Sequence, residues 1–239
     1  MNRLVSMVLK NLFYIPGAWS RLCRYAKHPE NYSEMEMYSH IQSIIRRALP
    51  AANVDLQVWG KENIPQENGF VLYGNHQGLF DVMALCASLD GPLSCVYKKE
   101  LSGVPFLKQV LRCTYSLEMN REDVRQSLTV IQNVTQEVLK GRNYLIFPEG
   151  TRSKNGNTVG AFHPGSFRAA LKAKAPIVPF ALIDSFRVLD QKGSQRVTVQ
   201  LYYLPVIPYE EYKDLKTTEL AELVRGRIVE TVEANLKKF

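Results

Sequence analysis

A histidine and an aspartate stand five positions apart where a predicted strand gives way to a predicted helix. An apolar run ends at Gly74 and the helix is predicted from Val82 onward, so His76 and Asp81 flank the junction. Two helical residues at this spacing would point about 140° apart, so the pair can meet only if His76 lies in the turn before the helix. The carboxylate would then hold one imidazole nitrogen and leave the other free as a base for a hydroxyl. A second interpretation is a polar turn in which Asp81 only favours the start of the helix.

Cationic side chains follow three other predicted strands, at the ends where open α/β sheets gather their ligands. They are Lys98 or Lys99 after strand 93–97, Arg121 after strand 114–119 and Arg152 after strand 144–147. Arginine suits phosphate because its planar guanidinium can donate two charge-assisted hydrogen bonds at once. Convergence of these residues near His76 would indicate a phosphate site, whereas solvated surface charges are the alternative. Nearby Glu149 either forms an ion pair with Arg152 or contacts substrate hydroxyl groups.

The composition is that of a globular protein with a basic charge. The 239 residues are 46% hydrophobic, enough for one sizeable core, and the formal net charge is +7. A basic protein attracts acidic partners, which include nucleic acid, an anionic membrane surface and a phosphorylated substrate. No nucleic-acid-binding motif accompanies the charge, so nucleic acid is not an expected partner.

Several common chemistries are excluded because their motifs are missing from the sequence. It contains no G-x-S-x-G elbow, phosphate-binding loop, G-x-G-x-x-G or H-E-x-x-H. With four histidines and no clustered cysteines, no metal site is expected. The cysteines, none of them in a C-x-x-C pair, are expected to be reduced residues of a cytosolic protein. They are Cys23, Cys86, Cys95 and Cys113.

Strands and helices alternate along residues 51–239, which predicts one α/β domain. Its clearest helix is predicted over 122–140, with Glu122 and Asp123 in the first turn. The apolar stripe of this helix is predicted to be Val124, Leu128, Ile131 and Val134 or Val138.

Residues 1–50 are predicted to form an amphipathic two-helix appendage. The first 29 carry five cations and no acid, and their longest uncharged run, 11–20, is too short to span a bilayer. This segment either lies in a membrane interface or packs on the domain. A second helix is predicted over 37–49, ending at Pro50, with one face made of Ile41, Ile44, Ile45 and Leu49.

Four ordered blocks carry a resemblance to a known family. They are Asn75-His76-x4-Asp81, Lys98-Lys99-Glu100-Leu101 with Pro105 and later Arg121, Phe147-Pro148-Glu149-Gly150-Thr151-Arg152-Ser153, and Ala175-Pro176-Ile177-Val178-Pro179-Phe180. Over about residues 54–205 the chain resembles the bacterial 1-acyl-sn-glycerol-3-phosphate acyltransferases of the glycerolipid acyltransferase family. The resemblance implies an α/β acyltransferase domain over 51–239, with a central mixed sheet flanked by helices. Lys108 departs from the glycine usual in relatives, which affects packing near an acyl-chain tunnel and leaves the chemistry in place.

The resemblance also implies roles for individual residues. His76 would be the general base and Asp81 its orienting partner, while Val178 and Pro179 would lie on the acyl-donor or acyl-chain side. The residues that would bind the phosphate and glycerol of the acceptor are Lys98, Arg121, Glu149, Gly150, Thr151 and Arg152. No cofactor is expected, because the co-substrate would be a thioester of coenzyme A or of acyl carrier protein.

The implied reaction moves a fatty acyl group to the sn-2 hydroxyl of 1-acyl-sn-glycerol 3-phosphate and makes phosphatidic acid for phospholipid biosynthesis. Transfer would be direct, without an acyl-enzyme, since no serine or cysteine is placed as a nucleophile. The implied location is the cytoplasmic face of the cell membrane, peripheral or monotopic, where basic residues would meet anionic lipid headgroups. Three alternatives stay open: another lysophospholipid or glycerol 3-phosphate as acceptor, a non-catalytic membrane-binding module, and a lipid esterase or thioesterase.

Overall fold

Helices and strands alternate along the domain, as the sequence predicts. The computed structural model describes residues 3–120 and 123–236. The helices are α1 (Arg3–Lys10), α2 (Ile15–Lys27), α3 (Glu34–Ala51), α4 (Asp81–Ser88), α5 (Leu107–Cys113), α6 (Val124–Leu139), α7 (Arg168–Ala173), α8 (Phe186–Leu189), α9 (Tyr209–Tyr212) and α10 (Thr217–Leu236). The strands are β1 (Val54–Trp59), β2 (Val71–Gly74), β3 (Ser94–Lys98), β4 (Leu117–Met119), β5 (Tyr144–Ile146), β6 (Ile177–Ile183) and β7 (Val197–Tyr203).

The strands form one mixed sheet in the order β1-β7-β6-β2-β5-β3-β4. β6 and β7 pair antiparallel, and the other neighbouring pairs are parallel. The five strands from β6 to β4 therefore run in one direction, and their carboxyl ends lie at one edge of the sheet. That edge is where open α/β sheets bind their ligands.

Helices cover both faces of the sheet. On β2, Leu72 packs into a core shared with α2, α3, α4 and α5, while Val71 and Tyr73 pack into a core shared with α6, α7 and α10. Successive side chains of a strand point to opposite faces, so a strand buried on both sides is an uninterrupted apolar run. The predicted α/β architecture with a central mixed sheet is confirmed.

The N-terminal segment contains three helices where two were predicted. α1 and α2 are separated by the turn 11–14, in which Asn11 Nδ2 donates to Met7 O at 2.8 Å. Pro16 lies in the first turn of α2, where a backbone N–H would have no hydrogen-bond partner within the helix, so proline is tolerated there. The proline and the asparagine turn together divide the first predicted helix. The domain boundary after residue 50 remains a prediction.

Helix α3 begins earlier than predicted and passes Pro50. Ser33 Oγ accepts a hydrogen bond from Glu36 N at 3.1 Å and caps the helix. Pro50 lies in the last turn, where its ring disrupts no following turn, and the helix ends at Ala51. The buried residues on its long face are Met37, Tyr38, His40, Ile41 and Ile45, whereas Ile44 and Leu49 are only partly buried.

Helix α6 buries part of the predicted row of side chains, including Val134 and Val138. Its cap is Asp123, whose carboxylate accepts hydrogen bonds from Arg125 N and Gln126 N, while Glu122 lies outside the described residues. The buried row is Val130, Val134 and Val138, and Leu128 is wrongly predicted because it is 44% exposed. A spacing of four keeps the valines on the one stripe that faces the sheet.

The cysteines are all free, and Cys86, Cys95 and Cys113 are buried. Burial raises the pKa of the Cys86 thiol to about 12 and that of the other two to about 11. Thiols of this kind stay protonated at neutral pH and are poor nucleophiles. Among the helices in the described part of the chain, none is both long and apolar enough to cross a membrane.

Candidate active site

The strand-to-helix junction, residues 75–81, brings His76 and Asp81 together. β2 ends at Gly74 and α4 begins at Asp81, so His76 lies in the turn before the helix. His76 Nδ1 lies 2.7 Å from Asp81 Oδ2. The predicted contact is present, and it forms because the histidine precedes the helix on which the aspartate is the first residue.

The Asp81 carboxylate is fully buried and surrounded by hydrogen-bond donors. Its Oδ2 also accepts from Gln77 N at 2.6 Å and Gly78 N at 3.0 Å, and its Oδ1 accepts from Ser185 Oγ. With two backbone N–H groups and a hydroxyl as its other partners, the carboxylate serves as a hydrogen-bond acceptor on both oxygens. Nδ1 of His76 then carries the hydrogen that points at Asp81, and Nε2 has its lone pair available to accept a proton.

Residues after β5 hold the histidine from its other side. The His76 ring stacks on Phe147 with centroids 4.0 Å apart. His76 N donates to Glu149 Oε1 at 2.8 Å, and Ser153 N donates to His76 O at 2.7 Å. The two most distinctive sequence blocks are thus joined by main-chain hydrogen bonds and one ring contact.

Glu149 is a buried acceptor for backbone N–H groups. Its Oε1 bonds to His76 N, and its Oε2 accepts from Gly160 N at 3.1 Å. Burial raises the pKa of the Glu149 carboxyl, and the two N–H donors oppose that shift. The alternative of an ion pair with Arg152 is wrong within the described residues, because Arg152 Nη1 donates to Asp190 Oδ1 at 2.5 Å. Contact of Glu149 with substrate hydroxyls remains a prediction.

The predicted phosphate-binding cations lie at the carboxyl-end edge of the sheet and are engaged with acidic side chains. Lys98, at the end of β3, pairs with Glu100 at 2.8 Å, and Arg152 pairs with Asp190. Arg121 lies outside the described residues. Both described cations are about half exposed, so an incoming anion could reach either one. Their joint role in binding phosphate remains a prediction.

The Gly150-Thr151 turn lies between Glu149 and Arg152. Gly150 has φ +67°, a conformation that favours glycine, and an added Cβ would lie 3.1 Å from the His163 ring. Thr151 is exposed, next to Arg152. The turn therefore sends the chain sharply from a buried glutamate to an exposed arginine within three residues.

Val178 and Pro179 lie inside the sheet. Both are buried on β6, paired with Leu72 and Tyr73 of β2. Proline has no N–H to donate to a neighbouring strand. Pro179 lies in the part of β6 that pairs with β2, one residue before the antiparallel pairing of β6 with β7 begins at Phe180. Their predicted place on the acyl side remains a prediction.

The structure adds four residues that the sequence did not single out. Asn75 bonds to both the N–H and the carbonyl of Leu182, which extends the pairing of β2 with β6. Gln77 Oε1 accepts from Ser185 N at 2.9 Å, and Asp190 Oδ2 accepts from Leu79 N at 2.9 Å. Ser185 follows the carboxyl end of β6, so the rule that selected the cations would also have found it.

This arrangement can abstract a proton beside a site for an anion. The oriented imidazole has a ring nitrogen that can accept a proton, and the exposed cations at the same sheet edge provide positive charge. Among residues 3–120 and 123–236, no three histidine, cysteine, aspartate or glutamate side chains are grouped so that they could hold a metal ion.

Comparisons with known proteins give consistent results. A relative from Borreliella burgdorferi, named 1-acyl-sn-glycerol-3-phosphate acyltransferase, is 27% identical over 195 residues, which cover 81% of this chain and 78% of the relative. A protein of the same name from Salmonella typhimurium is 26% identical and covers 88% of this chain and 84% of its own length. The crystal structure of the 1-acyl-sn-glycerophosphate (LPA) acyltransferase PlsC from Thermotoga maritima matches with a TM-score of 0.80 at 20% identity, over 99% of both chains.

The structural match establishes the fold, and the sequence matches extend through the junction and the block after β5. The model of the family described as Acyltransferase matches residues 55–183, more than half of the chain. This chain belongs to the acyltransferase family.

Proposed function

We propose that this protein transfers a fatty acyl group from an acyl thioester to the sn-2 hydroxyl of 1-acyl-sn-glycerol 3-phosphate, which makes phosphatidic acid. The observation that carries the proposal is the buried Asp81 carboxylate, which is bonded to His76 Nδ1 and held by three further donors. The names of the relatives from Borreliella and Salmonella support the choice of acceptor.

The chemistry follows from the state of the imidazole. Nε2 of His76 takes the hydroxyl proton as the oxygen attacks the thioester carbonyl, and Asp81 stabilises the imidazolium that forms. The tetrahedral intermediate then collapses, the C–S bond breaks, and the thiolate leaves with the electron pair. A thiol with a pKa near 8.5 is a good leaving group, and the imidazolium can return its proton to it.

The acceptor phosphate is proposed to bind Lys98, Arg121 and Arg152. Lys98 and Arg152 follow β3 and β5, whose carboxyl ends share an edge with that of β2. A phosphate would displace the carboxylates that now pair with these cations, or would share the cations with them. The cost in free energy is small because such exposed ion pairs are weak. The hydroxyl to be acylated is thereby held beside His76.

Membrane association is proposed to use the outward face of α1 and the turn that follows it. Phe13 is 99% exposed, and the other exposed apolar side chains here are Leu4, Val5, Val8, Leu9 and Leu12. The cations that accompany them are Lys10, Arg21, Arg24 and Lys27. Such a face lies in a membrane interface without crossing it, and its cations favour anionic lipids. We place the protein peripherally, at the cytoplasmic face of the cell membrane.

His76→Ala tests the proposed base. We expect turnover to fall by about a hundredfold or more, because general base catalysis contributes at least that factor. Release of free thiol from the thioester, measured with lysophosphatidic acid present, reports the rate, and circular dichroism reports folding. His28→Ala, an exposed histidine after α2, is the control. A folded His76→Ala variant with near-normal turnover would remove the base from the mechanism.

The donor and the acceptor are tested in one panel with the wild-type chain. Acyl-CoA and acyl carrier protein thioesters are each combined with lysophosphatidic acid, glycerol 3-phosphate and a lysophospholipid that lacks a phosphomonoester. We expect the highest thiol release with lysophosphatidic acid. Release that is independent of any acceptor would instead identify a thioesterase, and vesicle binding without thiol release would identify a non-catalytic module.

A further inference from the structure

The short segment Asp184–Asp190, which contains α8, contacts the catalytic junction at both of its ends. Ser185 Oγ donates to Asp81, and Ser185 N donates to Gln77 Oε1. At the other end Asp190 accepts from Leu79 N and pairs with Arg152. The position of this segment therefore sets the positions of both the orienting carboxylate and one predicted phosphate-binding cation.

The segment is packed so closely on the junction that only glycine fits opposite it. A Cβ on Gly78 would collide with the Asp190 carboxylate and would lie 3.1 Å from the Phe186 Cα. A Cβ on Gly156, in the loop after Arg152, would lie 3.1 Å from the Phe186 ring. A shift of the segment toward the junction would be transmitted to it, because the two are in close contact at Gly78.

Arg3 of α1 holds the same segment from its far side. The side chain is buried, with 5% of its surface exposed. Its Nη1 donates to Arg187 O at 3.0 Å and to Val188 O at 3.3 Å, and its Nη2 donates to Gln195 O at 3.0 Å. Cations bind well to the free carbonyls at the end of a helix, and two of these carbonyls, those of Arg187 and Val188, belong to α8.

The environment of Arg3 is costly for a charged group. Its Nε is buried without a hydrogen-bond partner among the described residues. Burial lowers the pKa of its guanidinium, and the nearby charge of Arg187 lowers it further. Within the part of the chain that the structure describes, backbone carbonyl groups compensate the charge. An apolar residue would avoid this cost, but it could not join the carbonyls of two segments, α8 and the stretch at Gln195, as the guanidinium does.

We propose that Arg3 is a positioning residue for acyl transfer, which fixes α8 against the junction and so links the seating of α1 to the geometry of Asp81 and Arg152. This inference rests on the proposed function, and it adds a residue outside the range 55–183 that the family model matches. The helix that exposes its apolar face to a membrane is thus joined by one side chain to the segment that orients the base.

Arg3→Met in the full chain tests this link, because methionine keeps the length and removes every donor. The matched control is Arg196→Met, an exposed arginine next to Gln195 that pairs with Asp55 at 3.1 Å. We expect kcat to fall by about tenfold or more, since small displacements of reacting groups have effects of this size. KM for lysophosphatidic acid should rise, because Arg152 shifts with α8, whereas binding to vesicles of phosphatidylcholine with phosphatidylglycerol should match the control.

Amide hydrogen exchange provides a readout that does not depend on activity. In Arg3→Lys, a milder variant for use if Arg3→Met fails to fold, we expect faster exchange at Leu79 and Ser185 than in Arg196→Met. Unchanged protection at both amides, or a kcat equal to that of the control, would overturn the proposal. Loss of vesicle binding that accounts for the whole loss of activity would also overturn it, because Arg3 would then act through anchoring. An inactive wild type would refute the proposed function, and the exchange measurement would still test the link.

Discussion

Asp81 orients His76 because every contact on its carboxylate comes from a donor. Three of these donors lie within five residues along the chain, and the fourth is the fully buried hydroxyl of Ser185, 104 positions away. Local turn geometry provides most of the shell, and a distant serine completes it. The serine is therefore the residue whose removal most directly tests how much the shell matters.

Ser185→Ala leaves Asp81 Oδ1 without its donor. We expect the free energy of unfolding to fall by about 2–3 kcal/mol, because hydrogen bonds to charged groups contribute more than neutral ones. Turnover should fall about tenfold as the carboxylate loses a fixed position. Denaturant unfolding and the thiol-release assay measure the two effects. The control is Ser88→Ala, a buried serine whose Oγ lies 2.7 Å from the neutral hydroxyl of Tyr203. Equal losses of stability in both variants would contradict the argument from charge.

Glu149→Gln tests the buried carboxyl that joins the junction to the loop at Gly160. The glutamine amide can accept a hydrogen bond from one of the two N–H groups, but its NH2 group must face the other. We therefore expect the free energy of unfolding to fall by about 1–3 kcal/mol at neutral pH. Denaturant unfolding with turnover in parallel measures this. Glu222→Gln, exposed on α10, is the control for the loss of one negative charge.

The same pair of variants shows a pH dependence of known sign. Burial raises the Glu149 pKa above its ordinary value of 4.5, so the folded chain holds this proton to higher pH than the unfolded chain. The corresponding stability is fully present below the unfolded pKa and is lost as pH rises through the folded pKa. The stability advantage of wild type over Glu149→Gln should therefore shrink as pH rises through that window. An advantage that grows with pH would show that the carboxyl is not held as described.

Close packing between elements fixes the site as firmly as its hydrogen bonds do. The junction, the loop after β5 and α8 meet at glycines, because any side chain there would enter the space of a neighbour. Gly78 faces Asp190 and Phe186 across the shortest of these gaps. A residue larger than glycine would change the position of α8 relative to the junction, rather than break a single hydrogen bond.

Gly78→Ala should separate α8 from the junction. We expect a loss of stability of about 1–3 kcal/mol from overpacking and a larger relative loss of turnover. Gly226→Ala is the control, because a Cβ on this helical glycine meets nothing within 4 Å. Alanine should stabilise α10 by up to about 1 kcal/mol there. Thermal unfolding of both variants, with turnover measured in parallel, gives the comparison. A fully active Gly78→Ala variant would show that the gap can widen without consequence.

At the scale of the whole molecule, the sheet brings the site together, and α1 carries the surface that we propose meets a membrane. The strands from β6 to β4 point their carboxyl ends in one direction, so residues far apart in sequence share one edge. The net charge of +7 and the apolar face of α1 both favour an anionic membrane surface. Orientation on the membrane should therefore depend on α1 more than on apolar residues exposed elsewhere.

Leu9→Asp tests this orientation against Leu139→Asp on α6. The two leucines are similarly exposed, at 57% and 60%, so the substitutions remove comparable apolar surface. We expect Leu9→Asp alone to weaken binding to anionic vesicles, by about tenfold, since burying one leucine contributes about 1.5–3 kcal/mol. Vesicle sedimentation measures the bound fraction. Equal effects of the two substitutions would mean that α1 is not the docking face.

Much of the fold was predictable because its signals are local. The strands predicted over 93–97 and 144–147 agree with β3 and β5 to within one residue at each end, and the junction at Gly74 marks the end of β2. The errors have equally physical causes. Leu128 fits the helical repeat of α6 but faces solvent, since only packing against the sheet decides which of two similar stripes is buried. The short helix α8 has too few residues to show any periodicity.

The candidate site was also predictable only in part. His76 and Asp81 could be paired from their spacing because a five-residue turn has few conformations, and Glu149 could be singled out from its block. Its partners, and the pairing of Arg152 with Asp190, could not be predicted. Ser185 and Asp190 reach the junction, and Arg3 reaches the far side of α8, only because the order of the strands places β6 beside β2 and leaves α8 between the junction and α1. Neighbouring residues determine short-range geometry, whereas contacts between residues more than a hundred positions apart form only when the strands have paired in their final order.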